Sequence, residues 1–193
     1  NAIVLCGTVA QIGLAESLFN ELDKPPAVPF QHSTSSEFLL SGDKEGVTRV
    51  FYVAQAKSVQ AFQEIAQVMR TIPEIRRTFT LNAQRAIIVR GTAPQVAMAE
   101  WLFNDLDQPN LGSPVAPLNA DALHEFRSPG ADDVLRVFYL INTADVPAFQ
   151  RIAQEVRVKA GIMRLFTYND RRALIVRGTS AQIASAERIA KPN

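Results

Sequence analysis

The sequence predicts an α+β protein built from tandem βαββα modules, each a small three-stranded mixed sheet with two helices on one face, and with β-hairpins in the linkers. Three observations predict it: an internal repeat, a switch between strand-like and helix-like apolar spacing inside each copy, and a helix-start signature that recurs at the same place. RVFYV at Arg49–Val53 lies over RVFYL at Arg136–Leu140, and the resulting shift of 87 residues then holds without a gap. Phe62 falls on Phe149, Ile65 on Ile152, Phe79 on Phe166, Asn82 on Asn169, Gly91 on Gly178 and Glu100 on Glu187. The opening NAIVLCGTVAQIGLAESLFNELDKP matches RAIIVRGTAPQVAMAEWLFNDLDQP, the back half of the unit alone.

Taken in chain order, residues 1–25 read as a half module: a strand from Ala2 to Cys6, then a helix with the apolar stripe Ile12, Ala15, Leu18, Phe19 and Leu22. Residues 26–47 form a linker in which EFLL and the turn-like SGDKEG make a hairpin strand running into the next module. Residues 48–109 are a complete module. VFYV is its first strand, and Val59, Phe62, Ile65, Ala66 and Met69 set the first helix. RTFTL and AIIV are strands around a turn at NAQR, where Asn82 is a turn former, and Val96, Ala99, Leu102, Phe103 and Leu106 stripe the second helix. Residues 110–134 repeat the linker, with HEF and SPGADD, and residues 135–193 repeat the module. There Val146, Phe149, Ile152, Ala153 and Val156 mark the first helix, and ERIAKPN shortens the last.

Each back-half helix begins with a capping box: Thr8 with Gln11, Thr92 with Gln95, and Thr179 with Gln182. In that motif the hydroxyl accepts an early backbone N–H while the Gln amide reaches back to the cap. The element order favours a right-handed crossover from first to second strand, with the third antiparallel between them. Val50 and Tyr52 alternate with Phe51 and Val53, so both faces of the sheet are apolar. The face without helices then needs a cover, from the linker hairpin and a neighbouring module or from another protein.

Composition removes several classes of function. At 193 residues, 47% hydrophobic, the chain has material for a core or several small ones. No apolar run is long enough for a membrane span, and no export signal is visible at the start. The net charge of +1 supplies no bulk field for a polyanion. Cys6 is the single cysteine, so no disulfide forms within the chain, and with no base placed beside it, it reads as a structural thiol. His32 and His124 stand in linkers without carboxylates at ligand spacing, which argues against a metal. Gly7, Gly91 and Gly178 are single glycines before helix caps, better explained by chain reversal than by a phosphate loop. No cofactor is expected, and no enzyme.

Arginine outnumbers lysine 15 to 5. Arg76, Arg77, Arg85 and Arg90 crowd the second and third strands of one module, and Arg164, Arg171, Arg172 and Arg177 those of the next. They read as a solvated edge balanced by acids, or as an interface in which guanidinium forks meet carboxylates such as Glu100 or Glu187 of a neighbour. Trp101, whose counterparts are Ser17 and Arg188, lies off the buried stripe and packs on a linker or marks a contact patch.

AIIVRGTAPQVAMAEWLFNDLDQP and RVFYVAQAKSVQAFQEIAQVM together resemble the short repeated N-terminal modules of bacterial secretins, the outer-membrane channels of type II and type III secretion and of type IV pili. The carrying features are an apolar strand running into Gly-Thr, a Gln-bearing helix and a Leu-Asp-x-Pro ending. The resemblance covers both complete modules and the opening half, with no channel-forming domain. It implies a periplasmic location, a KH-like βαββα fold and non-catalytic assembly through self-association into rings or contact with other secretion components. The strand order is also similar to KH domains of RNA-binding proteins, which makes a tandem nucleic-acid-binding protein the alternative. Their GXXG loop is absent here, and so is a basic excess.

Overall fold

The β-branched and aromatic stretches form strands and the periodic ones helices. The computed structural model describes residues 3–23, 34–40, 43, 46–109 and 124–190. His32, most of SGDKEG, the Pro-rich parts of both linkers and the final KPN lie outside the described residues. In order the elements are α1 (Val9–Leu22), β1 (Thr34–Leu39), β2 (Val47–Tyr52), α2 (Val59–Thr71), β3 (Arg77–Leu81), β4 (Ala86–Gly91), α3 (Ala93–Leu106), β5 (Glu125–Arg127), β6 (Val134–Tyr139), α4 (Val146–Lys159), β7 (Arg164–Tyr168), β8 (Ala173–Gly178) and α5 (Ser180–Ala190).

Two four-stranded sheets result, ordered β1-β2-β4-β3 and β5-β6-β8-β7. Three-stranded mixed sheets were expected. Each sheet gains a fourth strand because the linker strand pairs antiparallel with the edge of β2 or β6. Every ladder is antiparallel, because β4 stands between β2 and β3, and β8 between β6 and β7. The expected strand at Ala2–Cys6 is also absent from its described part: residues 3–6 take no regular structure and have no strand ladder. Ile3, Val4 and Leu5 are 70%, 94% and 48% exposed.

Helix starts follow local chemistry. Ser58 and Asp145 cap α2 and α4, accepting from Ala61 N at 3.0 Å and Ala148 N at 2.7 Å. Thr8 and Thr179 form the reciprocal box, each N–H donating to its glutamine Oε1 at 2.9 Å and each hydroxyl oxygen accepting at 3.3 Å. At Thr92 the closest contacts run through Gln95 Oε1, which accepts from the backbone at 3.0 Å and from the hydroxyl at 3.1 Å. The preceding glycines serve these boxes rather than a chain reversal. None of the three is left-handed, but a Cβ at Gly7, Gly91 or Gly178 would meet the glutamine Oε1 at 2.9, 3.0 or 2.6 Å.

Alternation divides each sheet between two neighbours. In the first sheet Phe51, Ile87 and Val89 face α2 and α3 within one core. In the second, Val134, Phe138, Leu174 and Val176 share a core with Phe149, Val156 and Ile183 of α4 and α5. The opposite parity of the second sheet, Leu135, Val137, Ala173 and Ile175, joins the core of α2 and α3. One helix layer is therefore buried between two sheets. Its surface differs from that of α4 and α5 accordingly. Val68 and Ile72 are fully buried, whereas their counterparts Glu155 and Lys159 are exposed. Met98 is buried where Ser185 is half-buried.

Candidate interaction surface

The polar contacts between the second sheet and the helices beneath it begin at Tyr139. Its hydroxyl donates to the Asp105 carbonyl at 3.0 Å and to Asp105 Oδ2 at 2.8 Å, at the end of α3. His124 Nδ1 lies 2.5 Å from the other carboxylate oxygen of Asp105, and its ring stands edge-on to Tyr139. Burial, then the Asp105 carboxylate, pushes the Tyr139 phenol far above its ordinary range. On the β7 side of the sheet Glu64 of α2 accepts from both Asn169 N, at 2.9 Å, and Asn169 Nδ2, at 3.1 Å. Arg177 donates to the Ile72 carbonyl at 2.7 Å, just past the end of α2, and Arg164 to Glu74 at 2.8 Å.

Glu74 bears on this surface through its backbone too. It sits at φ +60, in the left-handed region, where its counterpart is Gly161 at φ +62. Such a conformation is uncommon for a side chain larger than glycine. The carboxylate held there reaches Arg164 and lies 3.7 Å from Arg177.

The same pattern recurs one layer out. Tyr52, the counterpart of Tyr139, donates to the Glu21 carbonyl at 3.3 Å and to Glu21 Oε1 at 3.2 Å, at the end of α1. Ser36 of β1 adds a donor to Glu21 Oε1 at 2.9 Å. Burial first, and Glu21 second, push the Tyr52 phenol up to about 12. The C-terminal end of α1 thus packs on the outer face of the first sheet. The contact is lighter than its counterpart, since α1 has no fully buried residue.

The arginines singled out in sequence divide by role. Arg177 forks onto Asp133, Nε to Oδ1 at 2.9 Å and Nη2 to Oδ2 at 2.7 Å, and the guanidinium holds Asp133 below the usual carboxylate range. Arg90 meets Asp43 at 2.6 Å, and Arg85 donates to the Ala56 carbonyl at 3.0 Å. Arg85 and Arg172 both take φ +50 at equivalent turns. Arg77 and Arg164 start β3 and β7 opposite Arg90 and Arg177, and Arg76 lines an open cleft with Arg70, Glu74 and Arg177. Glu100 and Glu187, considered above as acceptors for a neighbour's arginines, are taken within the chain by Arg49 and Arg136. Trp101 is half-buried against Phe126 of β5, ring centroids 6.0 Å apart.

Several residues at this surface escape a reading of single motifs. Asp107, the acid of the Leu-Asp-x-Pro ending, is buried and accepts from Ala54 N at 2.7 Å and Gln55 N at 2.8 Å, tying the end of α3 to the loop before α2. Asn169, Tyr139 and Asp105 carry a signal only as matched pairs, Asn82 with Asn169, Tyr52 with Tyr139 and Glu21 with Asp105, and Glu64, whose counterpart is Arg151, carries none. Cys6, expected as a structural thiol, is exposed. Among the described residues no group of three or more His, Cys, Asp and Glu is placed to hold a metal ion, and no helix is long and apolar enough to cross a membrane. No protein-family model matches the chain, and no curated protein matches it.

Proposed function

We propose that the chain is a run of βαββα modules, similar to the periplasmic repeats of secretins, that acts as a non-catalytic scaffold through protein–protein packing. The observation that supports this reading is the layer of α2 and α3 buried between two sheets, which makes the helix face of one module the docking surface for the sheet of the next. Repeat units that cover one another in this way offer a sheet face and a helix face to their neighbours, the geometry of an assembly element. The periplasm and a secretion or pilus assembly enter by resemblance to the secretin modules. For the nucleic-acid alternative, phosphate-binding arginines are needed. Arg90, Arg136, Arg164 and Arg177 instead spend their guanidinium groups on carboxylates of the same chain.

Two titrations on the same preparation test the reading. Sedimentation at rising concentration should show association that persists at high salt, and single-stranded RNA should bind no more tightly than about 10⁻⁴ M at physiological salt. Tight RNA binding that weakens steeply with salt, from a chain that stays monomeric, would overturn it.

A further inference from the structure

The two sheets offer the same outward face, but their occupancy differs. On the second sheet α3 sits over Tyr139 while α2 covers β7, so Phe166 is half-buried against the core and Asn169 is clasped by Glu64. On the first sheet α1 sits over Tyr52 as α3 does over Tyr139. Beside α1, Phe79 of β3, the counterpart of Phe166, is 65% exposed. Asn82 keeps the local arrangement of Asn169: Gln63 Nε2 donates to its Oδ1 at 2.7 Å, as Gln150 Nε2 does to Asn169 Oδ1 at 2.6 Å. Its backbone N–H and Nδ2, the two donors that Glu64 takes up on the second sheet, have no partner among the described residues.

We infer that the β3 side of this face, from Phe79 to Asn82 and Ile88, is a docking site for an α2-type helix of another module. The occupant is amphipathic, lays apolar residues over Phe79 and Ile88, and presents a carboxylate to the paired donors of Asn82. The established interface on the second sheet supplies the template, and α1 already fills the adjoining half of the same face. A second copy of this chain fits poorly, because its outward helix α4 carries Arg151 where α2 carries Glu64 and is charged at Glu155 and Lys159. The inference rests on the packing reading proposed above and narrows it to one surface and one kind of partner.

The test extends the full chain at its N-terminus with a second copy of residues 47–84, which brings an α2-type helix ahead of α1 in the repeat register. Hydrogen exchange is then compared between parent and extended chains. In the extended chain the amides of residues 79–88 should exchange at least about tenfold more slowly, the effect of closing an opening by about 1.4 kcal/mol. Glu64→Ala in the appended copy should reverse most of the gain. Unslowed exchange at 79–88 overturns the inference, whether or not the added segment is helical. Protection there that grows with concentration in the parent chain overturns it too, by giving the face to a second copy. The equivalent segment 166–175 under the native α2 separates the two levels of failure. If it is protected while 79–88 gains nothing, only this inference falls; if it is unprotected in the parent, the packing reading falls with it.

Discussion

Val68→Glu is expected to destabilise the chain by about 3–5 kcal/mol, the cost of an uncompensated charge in a core. Val68 is 0% exposed on α2, whereas its counterpart on α4 is already a glutamate, Glu155, and is exposed. The two positions have the same place in their helices and differ in what lies above them. Only α2 has a second sheet there. Denaturant unfolding should therefore register a large loss for Val68→Glu and a change within about 0.5 kcal/mol for Glu155→Val. Equal effects at the two positions would mean that the second sheet does not bury α2.

Asp107→Ala should cost about 3 kcal/mol, read as a shift of the denaturation midpoint. The carboxylate is 2% exposed and is the partner of two backbone N–H groups, those of Ala54 and Gln55. Alanine leaves both half-buried donors without that acceptor, at up to about 1–3 kcal/mol each. Asp107→Asn keeps one acceptor oxygen and should lose less. Indistinguishable stabilities for the parent and the alanine variant would show that water satisfies the loop and that the clasp adds nothing.

Much of the fold was legible because the physical signal is local. Helix stripes such as Phe62, Ile65 and Met69 follow from 3.6-residue spacing, and the hairpin strands from apolar pieces beside turn residues. The apolar parity of Val50 and Tyr52 announced that a second face is covered. What covers it is a tertiary fact: only in three dimensions does Glu64 reach Asn169, or Tyr139 the end of α3. Single residues such as Asn82 looked like turn formers, which they are. Their second use, as paired donors for a carboxylate, depends on backbone N–H groups that carry no sequence signature. The arginines illustrate the opposite difficulty. Their clustering was visible, yet whether each guanidinium meets solvent, its own hairpin or the next module depends on distances such as that from Arg177 to Asp133 and to the Ile72 carbonyl. The third strand of the half module failed because the apolar run at residues 3–6 states a preference, while a strand exists only with a partner.

The central claim is that the helix ends of one module are read by the sheet face of the next. A double-mutant cycle across that contact tests it most directly, with Tyr139→Phe, Asp105→Asn and the pair measured by denaturant unfolding, alongside Tyr52→Phe, Glu21→Gln and their pair. The account predicts a coupling of about 1–2 kcal/mol for the pair on the second sheet, where Asp105 is buried, and a smaller one of the same sign for the pair on the first, where Glu21 is only half-buried. Additive losses at Tyr139 and Asp105, with no coupling beyond measurement error, would contradict it.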